Sequence, residues 1–96
     1  MYVYVLKSMN NYRFYVGMTE NVERRLKEHN SGKTKSTKGY RPWQLFFSEE
    51  YPNREEARQR EKYLKSGVGK EYIKREWSRS PAGYLPAGRE QLTSDQ

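Results

Sequence analysis

Two short runs of β-branched and aromatic residues near the start of the chain restrict its fold more than any other feature. The segments Tyr2 to Leu6 and Tyr12 to Gly17 are rich in valine and tyrosine, which favour strands. The segment between them contains Asn10 and Asn11, and asparagine is common in turns. The pattern predicts a β-hairpin. Because both strands are apolar on both faces, we expect a sheet covered on two sides.

A helix, a loop and a third strand are predicted in the middle of the chain. Asn21 is a suitable N-cap for a helix from about residue 22 to about residue 30, and Gly32 ends it. Residues 31–39 are rich in serine, glycine, lysine and threonine, which predicts a loop. The apolar and aromatic residues among 43–48 predict the third strand.

Two further helices are predicted after that strand. Asn53 and Glu56 have the spacing of a capping box, so a helix begins there and continues to about Lys65, where Ser66 and Gly67 end it. A last short helix spans about residues 70–77. The order strand, strand, helix, strand, helix, helix predicts an α/β fold in which a small three-stranded antiparallel sheet is flanked by helices.

The length of 96 residues indicates one domain. From residue 78 onward the content of proline, glycine and serine rises and the net charge falls to zero. We therefore expect a folded domain over residues 1–77 and a flexible C-terminal tail over residues 78–96. No apolar run is long enough to span a membrane and no secretory signal opens the chain, so we expect a cytoplasmic protein without a membrane partner.

The formal net charge is +7, and much of it lies in one segment. Between positions 24 and 41 there are seven Lys and Arg residues and one acidic residue. Such a cluster suits a nucleic acid, although a basic face kept for solubility, or an acidic membrane surface, would fit the charge as well. The candidates for nucleic-acid binding are Arg24, Lys27, Lys33, Lys35, Lys38 and Arg41. The chain has no cysteine and one histidine, which excludes disulfides, cysteine-based zinc sites and multi-histidine metal sites.

A carboxylate interrupts the apolar stripe of the helix that follows Asn53. Ala57, Glu61 and Leu64 share one face of this helix. A buried carboxylate needs a cation, and Mg²⁺ is commonly held by one carboxylate together with water and a substrate phosphate. The alternative, which the residues alone favour, is an ion pair of Glu61 with Lys65 or Arg58.

Four more residues have side chains suited to phosphate chemistry. Arg25 and His29 are four residues apart on one helix face, where an arginine can clamp a phosphate and a histidine can hydrogen-bond it or carry a proton. The alternatives are a surface charge for Arg25 and a favourable helix-end position for His29. Tyr4 and Tyr15 lie on strands, where tyrosine is usually a packing residue. A phenol acts as a general base only if nearby cations lower its pKa.

In this order and spacing, these residues resemble the GIY-YIG nuclease family, and in particular its small stand-alone bacterial members of the UvrC/YhbQ-like group. The two half-motifs stand as Tyr2-Val3-Tyr4 and Tyr15-Val16-Gly17, and Arg25 follows ten residues after Tyr15. The segment that ends in Glu61 is similar to the family's metal-binding segment. The resemblance covers residues 1 to about 77. Tyr2 replaces the family's first glycine and valine replaces both isoleucines.

The resemblance implies a three-stranded antiparallel sheet flanked by helices, and hydrolysis of DNA phosphodiester bonds that depends on Mg²⁺ or Mn²⁺. Tyr4 or Tyr15 would activate the attacking water and Arg25 would stabilise the pentacovalent phosphate. Glu61 would hold the metal, and His29 would support the positioning of phosphate or water.

The expected partner is DNA, with branched or damaged DNA among the candidates. Cleavage would be structure-selective or weakly sequence-specific, in repair or recombination. The chain would act as a monomer or a weak homodimer. Two alternatives remain. The first is a nucleic-acid-binding module without useful turnover, which is favoured by Met18 at a position where a repair nuclease has a lysine. The second is a protein-interaction domain whose charge serves solubility.

Overall fold

The computed structural model describes residues 1–80 and contains the predicted three-stranded antiparallel sheet. Its strands are β1 (Tyr2–Ser8), β2 (Phe14–Thr19) and β3 (Trp43–Glu50), and β1 lies between the other two. The hairpin of β1 and β2 is confirmed, and each strand ends two residues later than predicted. In β1 the extension follows from a backbone hydrogen bond of 2.9 Å from Ser8 N–H to the Arg13 carbonyl, which closes the hairpin.

The described chain forms four helices, of which two begin at the predicted caps. The helices are α1 (Val22–Ser31), α2 (Lys35–Lys38), α3 (Arg54–Lys65) and α4 (Gly67–Ser78). The Asn21 side chain accepts a hydrogen bond of 3.0 Å from the backbone of Arg24, and Asn53 accepts one of 2.9 Å from Glu56. These bonds satisfy amide groups that the first turn of a helix cannot pair within itself.

Two helices differ from the prediction. The predicted loop over residues 31–39 contains α2, whose four residues are too few to show a helical period. α4 begins at Gly67 rather than at about residue 70. Ser66 ends α3 in an extended conformation, and its hydroxyl then accepts a hydrogen bond of 3.2 Å from Gly69 N–H at the start of α4. A side chain at Gly69 would collide with the backbone of Tyr63, so glycine lets the two helices meet closely.

The sheet separates two hydrophobic clusters, as the alternation along β1 predicts. Val3 and Val5 point to the face covered by α3 and α4, whose cluster is completed by Val16, Ala57, Leu64 and Ile73. Tyr4 and Leu6 point to the opposite face, where they pack with Trp43 and with the α1 residues Val22 and Leu26. The sheet is therefore covered on both faces.

α4 ends at Ser78, the first residue of the predicted tail, and the domain boundary stays a prediction. Most of the predicted tail, residues 81–96, lies outside the described residues. Within residues 1–80, no helix has the length and apolar character needed to cross a membrane.

Candidate active site

A chain of hydrogen-bonded side chains links β1 to α1 and α2. The Tyr4 hydroxyl lies 2.9 Å from His29 Nε2, and His29 Nδ1 lies 2.8 Å from the Thr37 hydroxyl. The Thr37 hydroxyl donates its own proton to the Thr34 carbonyl oxygen at 3.3 Å, so it accepts from His29 Nδ1–H. His29 Nε2 is then an acceptor, and Tyr4 donates its phenolic proton to it.

Burial keeps these hydrogen-bonded side chains uncharged. Tyr4, His29 and Thr37 are each at most 1% exposed. Burial, followed by the charge of Tyr15, raises the pKa of Tyr4 to about 12. Arg25 lowers the Tyr4 pKa, as expected of a nearby cation, but burial outweighs it. Burial, aided by the charge of Arg25, lowers the pKa of His29 to about 4. Near pH 7 the proton therefore stays on Tyr4, and His29 is uncharged.

Tyr15 lies beside Tyr4 and His29 but is more accessible to solvent. The ring centroid of Tyr15 is 4.7 Å from that of His29 and 6.2 Å from that of Tyr4. Tyr15 is half-buried, and no group among residues 1–80 hydrogen-bonds to its phenol. Gly17 pairs with Tyr4 across the sheet, and a Cβ atom at Gly17 would lie 2.6 Å from the Tyr4 hydroxyl. The glycine of the second half-motif thus makes room for the tyrosine of the first.

Arg25 lies one turn before His29 on α1 and brings a positive charge to both phenols. Its Nη1 atom is 2.8 Å from Glu28 Oε1, and its side chain is 34% exposed. Hydrogen bonding to Glu28 is the largest cause that raises the pKa of Arg25, and hydrogen bonding to Tyr4 and the charges of Tyr4 and Tyr15 add to it. The guanidinium therefore stays charged and can be reached from solvent, as phosphate binding requires.

Glu61 approaches the same region from α3. Ala57 and Leu64 are fully buried, so the predicted apolar stripe exists, and the Glu61 side chain is 18% exposed between them. Glu61 Oε2 is 3.1 Å from Lys65 Nζ, which is the ion pair expected from residues four apart. The charge of Glu61 also raises the pKa of Tyr4, so the carboxylate lies within electrostatic reach of the phenol.

The fold brings four of the five predicted site residues into contact. Tyr4, Tyr15, Arg25 and His29 are linked by hydrogen bonds, ring contacts and charge, whereas Glu61 is linked to them by its charge. Within residues 1–80 there is no group of three or more His, Cys, Asp or Glu side chains that could hold a metal ion. A metal here would therefore depend on one carboxylate, on water and on substrate.

The six predicted nucleic-acid contacts lie on α1, on α2 and on the segments beside α2. Lys27, Lys33, Lys35 and Lys38 are exposed. Arg24 is exposed too, and its Nε atom is 3.9 Å from Glu28. Arg41 is half-buried and donates from Nε to the Lys38 carbonyl at 2.8 Å. These basic residues therefore lie on or beside the two helices that carry Arg25, His29 and Thr37.

Thr37 is the site residue that sequence reasoning missed. It sits eight positions after His29, in a segment rich in small polar residues and lysine, where neither spacing nor polarity distinguishes it. Its side chain becomes significant only because α2 folds back over α1 and buries the hydroxyl against the imidazole. No sequence signal could have found it without that contact.

Comparisons with known proteins find a matching family model and several relatives. Residues 1–75 match the family model of the GIY-YIG catalytic domain. The UPF0213 protein YazA of Bacillus subtilis is 37% identical over 93 residues, which cover 93% of each chain. The UPF0213 protein CPE1444 of Clostridium perfringens is 43% identical over 65 residues, which cover 67% of this chain and 69% of the relative.

A solved structure is similar as well. The solution NMR structure of the UPF0213 protein BH0048 from Bacillus halodurans is 38% identical to this chain. The match covers 77% of this chain and 81% of that one, with a TM-score of 0.47.

Proposed function

This chain belongs to the GIY-YIG family of nuclease domains, and on that premise we propose that it is a divalent-metal-dependent endonuclease that hydrolyses phosphodiester bonds in DNA. The observation that carries the proposal is the grouping of Tyr15, Arg25 and Glu61 around the buried Tyr4–His29 pair. A half-exposed phenol, a charged guanidinium and a carboxylate are side chains that phosphodiester hydrolysis can use.

We assign removal of a proton from the attacking water to Tyr15. The Tyr4 hydroxyl is almost fully buried and its proton is held by His29, whereas the Tyr15 phenol is half-buried and has no hydrogen bond from residues 1–80. A phenol accepts a proton only after it has lost its own, and the guanidinium of Arg25 interacts electrostatically with Tyr15. In this assignment Tyr4 and His29 are positioning residues that hold the Tyr15 ring.

Arg25 would bind the scissile phosphate and stabilise the negative charge that develops as water attacks phosphorus. The new bond joins the water oxygen to phosphorus, and the bond that breaks joins phosphorus to the 3′ oxygen. Arg25 is already fixed by Glu28 at 2.8 Å, so little rearrangement is needed to present its free nitrogens to a phosphate. The basic residues on α1 and α2 would hold neighbouring phosphates without reading bases.

Glu61 is the residue that would hold a divalent cation, Mg²⁺ or Mn²⁺. The donor set fits: Mg²⁺ is commonly bound through one carboxylate, with water and substrate phosphate as its other ligands. Lys65 pairs with Glu61 through Oε2 and is itself exposed, so it can move aside. A bound cation would supply charge stabilisation for the leaving 3′ oxygen.

The test compares nicking of supercoiled plasmid and of branched oligonucleotide duplexes by the wild type and three variants. Arg25→Ala should slow cleavage by roughly 100-fold, which is typical for loss of one electrostatic contact to the transition state. Glu61→Gln should abolish the cleavage that depends on Mg²⁺. Glu55→Gln, which changes an exposed carboxylate in the first turn of α3, is the matched control and should cleave like the wild type. Equal cleavage by all four proteins would show contamination and refute the proposal.

A second candidate function is DNA binding without turnover. The observations that favour it are Met18 at the position where a repair nuclease has a lysine, and the Glu61–Lys65 ion pair that occupies the carboxylate. It predicts salt-sensitive DNA binding that Glu61→Gln leaves unchanged, with no cleavage by the wild type. We propose branched or damaged DNA as the substrate, in repair or recombination, and a monomer or weak homodimer as the acting species.

A further inference from the structure

A groove between β2 and α4 combines an aliphatic floor with an aromatic wall. We call it the α4 groove; its volume is about 260 Å³. The floor consists of the buried side chains Val16, Leu64 and Ile73. The wall is formed by Tyr12 and Phe14, whose rings meet edge to face with centroids 5.4 Å apart. Tyr12 is 52% exposed, so its ring is accessible to a ligand in the groove.

The rim of the α4 groove is basic. It contains Lys65, Lys70 and Lys74, all exposed, and none of the residues among 1–80 that line the groove is acidic. Lys65 pairs with Glu61, but Lys70 and Lys74 have no ion pair with any residue among 1–80. These three lysines lie outside the basic segment on α1 and α2, so they form a second positive surface on another part of the molecule.

The groove adjoins the candidate active site through two residues. Tyr15 lines the groove and its ring contacts His29. Lys65 lines the groove and pairs with the carboxylate of Glu61. A DNA strand bound at Glu61 would therefore pass beside the rim of the groove at Lys65.

We propose that the α4 groove binds an unpaired nucleobase of a single-stranded DNA segment, with the adjacent phosphates held by Lys70 and Lys74. The proposal deepens the DNA endonuclease function proposed above and rests on it. Aromatic side chains stack on exposed bases of any sequence, and lysines track the backbone, so the two together select single strands. A duplex keeps its bases stacked inside and would use the lysines but leave the apolar floor empty.

An acidic peptide added to the free edge of β2 is the competing occupant, because β2 is an edge strand. The observations favour the nucleobase for two reasons. The groove shares Tyr15 with the candidate active site and borders Glu61 through Lys65. Its wall also contains two aromatic side chains, and bases stack on such side chains.

The test measures binding of the full chain to labelled oligonucleotides by fluorescence anisotropy, with EDTA present so that cleavage does not interfere. The probes are a single-stranded 12-mer, the same 12-mer with abasic central positions, its duplex, and the RNA version. The wild type should bind the intact single strand at least about fivefold more tightly than the abasic strand, which is the lower limit for one base stacked on an aromatic ring. RNA bound more tightly than DNA would overturn the assignment to DNA.

Two variants and a control separate stacking from charge. Tyr12→Ala should remove the preference for the intact strand over the abasic strand. Lys74→Gln should weaken binding of both strands and should reduce the slope of log affinity against log salt by about 0.7. Lys62→Gln changes an exposed lysine of α3 outside the groove and should leave the preference unchanged.

Base stacking in the groove can also be measured on the wild type alone. A 2-aminopurine base at the central position should lose fluorescence when bound, because stacking quenches it. Equal affinity for intact and abasic strands, or displacement of the DNA by a glutamate-rich peptide at a lower concentration than by unlabelled DNA, would refute the proposal. Base-dependent binding without any cleavage would reject the endonuclease function but support base binding in the α4 groove. Cleavage without base-dependent binding would support the endonuclease function and refute base binding in the groove.

Discussion

Acidification should destabilise this protein through the protonation of His29. The folded protein holds His29 with a pKa of about 4, whereas an exposed histidine in the unfolded chain has a pKa of about 6.5. Between these values the unfolded chain binds a proton that the folded protein does not, so stability falls as the pH falls through this window. Above about pH 6.5 the contribution is fully present.

The magnitude follows from the two pKa values. The full difference corresponds to about 3 kcal/mol, at 1.36 kcal/mol for each pKa unit. Between pH 7.5 and pH 5 we expect a loss of about 2 kcal/mol in the free energy of unfolding. That is a large fraction of the stability of a small domain, which is typically about 5–15 kcal/mol.

The charged and titratable groups that face His29 do not obscure this effect. Arg25 stays positively charged, and Tyr4 stays protonated because its pKa is raised to about 12. The pKa of Glu28 is lowered by its hydrogen bond to Arg25, so this carboxylate stays charged between pH 5 and pH 7.5. The chain has one histidine, so protonation of an imidazole in this range can be assigned to His29.

The assay is urea denaturation at pH 7.5 and at pH 5 for the wild type and for His29→Gln, which cannot titrate in this range. The difference between the two pH dependences isolates the histidine. NMR titration of the single imidazole in the folded wild type gives its pKa directly. An imidazole pKa near 6.5, or a loss of stability equal in both proteins, would refute the burial argument.

Two further substitutions test how the site is held together. Thr37→Val should cost about 1–3 kcal/mol, because it leaves the buried Nδ1–H of His29 without an acceptor, whereas Thr37→Ser should keep most of the stability. Urea denaturation measures the free energy of unfolding of both variants. Equal losses of stability in the serine and valine variants would contradict the inferred tautomer. Gly17→Ala should cost about 1–3 kcal/mol, because its Cβ would lie 2.6 Å from the Tyr4 hydroxyl. The same variant should reduce plasmid nicking, and unchanged denaturation together with unchanged nicking would show that the close approach is unimportant.

Much of the fold could be predicted because each signal was local. The alternation along β1 places Val3 and Tyr4 on opposite faces, and Asn21 and Asn53 begin their helices by capping them. α2 could not be predicted, because four residues carry no period. The start of α4 was missed because Ser66 ends one helix and caps the next, so Gly67 does not act as a stop.

The side chains of the candidate site were chosen from the sequence, and their roles stay predictions. The structure places Tyr4, Tyr15 and Arg25 close together, and the charge of Glu61 reaches Tyr4. Which tyrosine is accessible depends on burial by several elements at once, and no spacing encodes it. Thr37 and the α4 groove depend on long-range packing of α2 and α4, which a reading along the chain does not contain.

The central position of β1 has a consequence for how this protein tolerates mutation. Successive residues of one strand serve different purposes: Val3 and Val5 fill the aliphatic cluster, whereas Tyr4 between them belongs to the candidate site. Exchanges of similar volume at the two valines should be accepted by repacking, because such a cluster requires shape rather than chemistry. Tyr4 has no such freedom, since its ring fills space while its hydroxyl orients the imidazole. Substitutions should therefore be tolerated at Val3 and Val5, whereas a substitution of Tyr4 between them should not be.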